Sequence, residues 1–155
     1  MKLFVALILF AFIQSASDDL YDANRIYNAI MGLQDKYPQG YPWTNSNKYN
    51  WETSVAIGLG YSSYGGSGCV AFAMLASDTA FGKIPAYKFE EKSKIRVGDI
   101  IRINNDTHSV IVIKINGGTK YTIAEGNYNS SVNYGRIIDI SSTGFNYGYT
   151  RYPKN

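Results

Sequence analysis

One cysteine, one histidine and four prolines are the scarce residues of this 155-residue chain, and each scarcity removes a class of protein. Cys69 has no partner within the chain, so a disulfide scaffold is excluded. One Cys with one His does not complete a zinc sphere unless several carboxylates stand alongside, so no metal is expected. Charge is scarce as well: 17% of residues are charged, 15 basic among 12 acidic, for a net +3. They form no basic stripe, and nucleic acid is not an expected partner. Beyond the first 17 residues no apolar run approaches the about 20 residues a membrane helix needs. Gly58, Gly60, Gly65, Gly66 and Gly68 lie in an irregular Tyr/Ser stretch, not between a strand and a helix, so no nucleotide cofactor is implied.

Aromatic residues are abundant: 14 Tyr, 7 Phe and 2 Trp, in a chain that is 45% hydrophobic. With this length they describe one globular domain rather than a disordered chain. The opening MKLFVALILFAFIQSAS sets Lys2 before an apolar run from Leu3 to Ile13, then the small residues Ser15, Ala16 and Ser17. That is the pattern of a cleaved secretory signal over residues 1–17. Residues 18–155 are then expected to be a secreted, single-domain monomer that leaves the membrane after cleavage. An unpaired thiol tends to oxidise in such surroundings unless it has a use.

Apolar residues at Leu20, Ala23, Tyr27, Ile30 and Met31 predict an amphipathic helix, capped by Ser17 or Asp18 and ending between Gln34 and Lys36. Residues 37–68 lose periodicity and predict a long loop, with one turn of helix between Trp51 and Ile57. GCVAFAMLASDTAFG predicts a second helix from Gly68 or Cys69 to Ala80, stopped by Gly82. Cys69, Phe72, Ala73 and Ala76 share one face of it, where small side chains let a sheet approach. A Lys/Glu-rich connector (88–94) precedes β-branched runs at 99–103, 108–115, 119–125, 134–140 and 147–152. Helices first and antiparallel strands later predict the α+β class.

The sole Cys opens a helix and the sole His opens a strand, two natural positions for a thiol nucleophile and its base. Unpaired N–H groups at a helix start stabilise a thiolate at Cys69. His108 would take the thiol proton and later protonate a leaving amine. A two-residue turn at Gly117-Gly118, with Asn116 paired to Thr119, sets His108 opposite Asn127 and Val110 opposite Glu125. His108, Glu125 and Asn127 then share a face, about 5 to 8 Å apart. Either Glu125 or Asn127 would accept the second ring N–H of His108 and fix its tautomer.

Three segments carry a family resemblance: GCVAFAM, VGDIIRINNDTHSVIVIK and TIAEGNYN. They resemble the nucleophile helix, the Gly-Asp…His strand and the Glu-x-Asn-aromatic ending of the papain-like bacterial cell-wall hydrolases, the CHAP branch and its NlpC-type relatives. The resemblance covers roughly residues 60–130. It implies a papain-like fold and a cysteine amidohydrolase or peptidase without cofactor, cleaving amides of peptidoglycan or another extracellular substrate through a thioester. It assigns Cys69 as nucleophile, His108 as base, and Glu125 and Asn127 as its assistants. Gly68 departs from the Gln that CHAP domains commonly carry before the Cys as an oxyanion donor. The second donor is left unassigned, with Tyr61 and Tyr64 in the preceding loop as candidates.

Trp43, Trp51, Tyr61 and Tyr64 crowd the loop before the nucleophile and predict a stacking wall for a sugar or peptide stem. Two other functions fit the same chain: a cell-wall-binding module without catalysis, and an acyltransferase whose thioester is resolved by an amine. The sequons at Asn105 and Asn129 flank the proposed site.

Overall fold

A computed structural model describes residues 19–51 and 65–153. The expected signal segment, the helical turn between Trp51 and Ile57, and the side chains of Tyr61 and Tyr64 lie outside them. Helix α1 (Ala23–Met31) is capped by Asp22, whose carboxylate accepts the Arg25 N–H at 2.8 Å, and it runs into a 3-10 turn at Gly32–Asp35. The cap of α1 is Asp22; Ser17 and Asp18, the caps the sequence suggests, lie outside the described residues. Two short strands, β1 (Lys48–Asn50) and β2 (Gly65–Ser67), pair antiparallel. Helix α2 (Gly68–Phe81) follows β2 directly and ends at Gly82, as its sequence predicts.

The remainder is an antiparallel sheet: β3 (Tyr87–Phe89), β4 (Ile100–Ile103), β5 (His108–Gly117), β6 (Lys120–Tyr128), β7 (Ser131–Asp139) and β8 (Tyr147–Thr150), ordered β3-β8-β4-β5-β6-β7. A one-turn helix, α3 (Ile140–Thr143), joins β7 to β8. The α+β expectation is met. β3 lies within what reads as a connector. Three residues with an exposed Lys88 suit a sheet edge, where charge protects unpaired backbone from other strands.

The sheet separates two apolar clusters. Phe72, Ala73 and Ala76 of α2 bury themselves with Ile100, Ile111 and Ala124 on one side, while Ile101, Val110, Val112 and Ile123 meet Phe89 and Ile140 on the other. Side-chain alternation in β4, β5 and β6 feeds both. The alanines of α2 let the helix lie close to β5 and β6. Gly126 marks the tightest approach: a Cβ there would lie 2.5 Å from Phe72 Cβ and 2.7 Å from Trp43 Cδ1. Both neighbours are buried and packed, so Gly126→Ala is expected to cost about 1–3 kcal/mol, read as a lower urea midpoint with an unchanged denaturant slope.

The β5–β6 hairpin differs from its predicted turn in an instructive way. Gly117, not Asn116, pairs with Lys120, so the turn is Gly118-Thr119. Two irregularities follow, each placing one additional residue, Asn116 and then Ile113, on β5. One such offset would turn every later side chain to the opposite face; two restore the parity. Pairing at Val112↔Ile123 and Ile111↔Ala124 is thus the register that Asn116–Thr119 pairing would have produced.

Candidate active site

Ser67 precedes α2 in an extended conformation, and Cys69 is the second residue of the helix. Its thiol is hydrogen-bonded to the His108 imidazole and to the Ser109 backbone N–H at the start of β5. His108 Nε2 lies 2.8 Å from Glu125 Oε2, which leaves Nδ1 for the thiol. Glu125 is 0% exposed and is held on its other side by Arg136 of β7, with Nε 2.6 Å from Oε1 and Nη2 2.6 Å from Oε2. Two parallel charge-assisted bonds fix the plane of the carboxylate. The carboxylate in turn fixes the ring.

The electrostatics follow from these contacts. Burial pushes the Cys69 thiol up, but the hydrogen bonds from His108 and Ser109 and the positive charges of His108 and Arg102 outweigh it, bringing the thiol down from 9.0 to about 7. Burial pushes the imidazolium of His108 down, and its bonds to Cys69 and Glu125 overcome that, raising it from 6.5 to about 9. Burial likewise opposes the charge on Glu125, and the bonds from Arg136 and His108 hold it below its ordinary value. Thiolate and imidazolium therefore coexist between about pH 7 and 9. Below that window the sulfur is protonated; above it the ring has no proton to give.

Alkylation of Cys69 by iodoacetamide needs only the thiolate, so its rate is expected to rise through pH 7 and stay high beyond pH 9. Any reaction in which the imidazolium must also return a proton is expected to slow again through pH 9. A thiol titrating near its ordinary value would contradict the ion pair.

Cys69, His108 and Glu125 are thus brought together, and Asn127 is not part of their relay. It adopts a left-handed backbone with φ 60°, which redirects its side chain. Its Nδ2 donates to Asn45 Oδ1 at 2.8 Å. Glu125 takes the ring N–H alone, which decides between the two acceptors the sequence allowed.

The tryptophan wall is corrected. Trp43 is 3% exposed, edge-on to Tyr37 and Phe72, with its Nε1 donating to Gly68 O at 2.9 Å. Trp51 is equally buried, with its ring against Gly66. Both belong to the core because the described stretch 43–51 is tied to the helix start, with Trp43 and Asn47 both bonded to Gly68. Among the described residues, an exposed ring beside the site is that of Tyr128, whose centroid lies 6.4 Å from that of His108 and 4.2 Å from the Arg136 guanidinium.

Sequence reasoning missed Arg102, Ser109, Tyr128 and Arg136. Arg102 bonds Ser109 Oγ at 2.7 Å and Asp106 Oδ1 at 2.6 Å. A cation between Ile101 and Ile103 was its available signal; Arg136, between Gly135 and Ile137 on a strand, offered a similar one. Among the described residues no group of three or more His, Cys, Asp or Glu is placed to hold a metal ion. The arrangement is suited to attack by sulfur on an electrophilic carbon with proton return from the imidazolium. Compared with protein-family models, curated proteins and solved structures, the chain matches none.

Proposed function

We propose that this protein is a secreted cysteine amidohydrolase or peptidase of papain-like architecture that hydrolyses amide bonds in peptidoglycan peptides. The observation that supports it most is the imidazole held between the Cys69 thiol and the buried Glu125 carboxylate. Such an arrangement has a use in nucleophilic catalysis that a buried structural cysteine lacks. The substrate class rests on the resemblance of the three segments to cell-wall hydrolases.

In this reading the Cys69 sulfur attacks the carbonyl carbon, forming a C–S bond as the carbonyl π electrons move to oxygen. Collapse of that intermediate breaks the C–N bond, and His108 gives its proton to the departing amine. Water, deprotonated by His108, then attacks the thioester and releases the carboxylic acid and the sulfur. Glu125 keeps the ring in one tautomer throughout, and Arg136 keeps Glu125 charged. Mass spectrometry of purified peptidoglycan incubated with residues 18–155 tests the proposal. Released fragments carrying one added water per cleaved amide are expected. Intact peptidoglycan after incubation with a chain whose Cys69 alkylates rapidly would overturn the substrate assignment.

A further inference from the structure

Attack on a carbonyl creates an oxyanion, and a cysteine hydrolase needs two hydrogen-bond donors aimed at it. The Cys69 backbone N–H at the start of α2 supplies one. Gly68, directly before it, has φ 62° and no side chain, and the space a side chain would use is filled from elsewhere. A Cβ on residue 68 would run into Asn45 Oδ1 and sit 3.2 Å from Asn127 Nδ2.

The loop carrying Asn45 is built around this point. Trp43 Nε1 donates to Gly68 O at 2.9 Å, Gly68 N donates to Asn47 O at 3.0 Å, and Asn47 Oδ1 accepts the Thr44 N–H at 2.7 Å. Residues on both sides of Asn45 are therefore tied to the residue that precedes the nucleophile. Asn127 completes the arrangement by donating to Asn45 Oδ1, at the cost of its left-handed backbone. With its oxygen engaged, the orientation of the Asn45 carboxamide is set. No described residue accepts a hydrogen bond from its Nδ2, and the side chain is solvent-accessible.

We propose that Asn45 is the second oxyanion donor, its Nδ2–H acting with the Cys69 N–H, and that Asn127 is the positioning residue that orients it. This rests on the proposed hydrolase chemistry and adds to it a residue and a role for the strained Asn127. It also explains why residue 68 is glycine: any side chain would displace the carboxamide.

The test uses p-nitrophenyl acetate, which acylates a catalytic thiol with release of p-nitrophenolate whatever the natural substrate is. Asn45→Ala is expected to slow acylation of Cys69 about 10²- to 10³-fold, carried by kcat with KM little changed. Alkylation by iodoacetamide forms no oxyanion and is expected to proceed at the wild-type rate. Asn45→Asp keeps an acceptor for Asn127 but presents a charge of the wrong sign, so acylation is expected to be lost while the melting temperature is held. Wild-type acylation in Asn45→Ala would overturn the inference alone. Parallel losses of acylation, alkylation and melting temperature would make Asn45 a clamp and overturn it too. A wild-type chain that alkylates but is never acylated would overturn the hydrolase reading, and this inference with it.

Discussion

Cys69→Ala is expected to abolish amide hydrolysis, with a loss of about 10⁴-fold or more, while leaving the protein folded. The size of the effect follows from composition. The chain contains no second thiol to take over the attack and no second imidazole to redirect. The alanine retains the Cβ at the start of α2, so stability changes little. His108→Ala separates the two functions of the pair. Without the ring, Cys69 loses both the hydrogen bond and the charge that counter its burial, and the thiol returns upward from about 7. Alkylation at pH 7 is then expected to slow by about tenfold or more, since each pKa unit removes a factor of ten in thiolate at that pH. Hydrolysis loses its acid as well and is expected to fall nearly as far as in Cys69→Ala. Retained hydrolysis in Cys69→Ala, shown by released muropeptides, would place the chemistry elsewhere.

The largest expected stability effect comes from Trp43. Trp43→Ala removes a buried indole from between Tyr37 and Phe72, which costs about 3–5 kcal/mol for a packed aromatic. In a domain of this size the melting temperature should fall by about 10–15 °C. Trp43→Phe keeps a ring but leaves Gly68 O without its Nε1–H partner, and about 1 kcal/mol is expected from that bond alone. Activity should decline in both variants through a looser helix start, with kcat affected more than KM. An increase in KM at unchanged melting temperature would return Trp43 to the role of a substrate surface.

Elements whose side chains follow a period were legible in the sequence. α2 was readable from its apolar residues and its glycine stop, and β5 and β6 from their β-branched runs. The meeting of Cys69, His108 and Glu125 follows from those elements, because Cys69 and His108 each stand at an element start and Glu125 lies on the strand paired with β5. What was not legible depends on backbone conformations that side-chain type does not announce. The left-handed φ at Asn127 turns its carboxamide from His108 toward Asn45. Trp43 and Trp51 sit in a loop without periodicity, where an aromatic looks the same whether it covers the core or faces a ligand. Arg136 was hidden because its contact with Glu125 arises between β6 and β7, whose pairing is shifted by an irregularity between Ile123 and Ala124. The sequence sets the hairpin turn one residue early, yet it predicts the observed pairing near the site. The reason is that burial of Ile111, Val112, Ile123 and Ala124 on two opposed faces fixes pairing more strongly than the turn does.

The paired offsets in β5 also insulate one end of the hairpin from the other. Because the half that carries His108 and Glu125 keeps its own pairing, residues added between Gly118 and Thr119 extend the tip without retuning the imidazole. An epitope or fluorescent reporter spliced in at that tip would therefore leave the contacts among Cys69, His108 and Glu125 undisturbed.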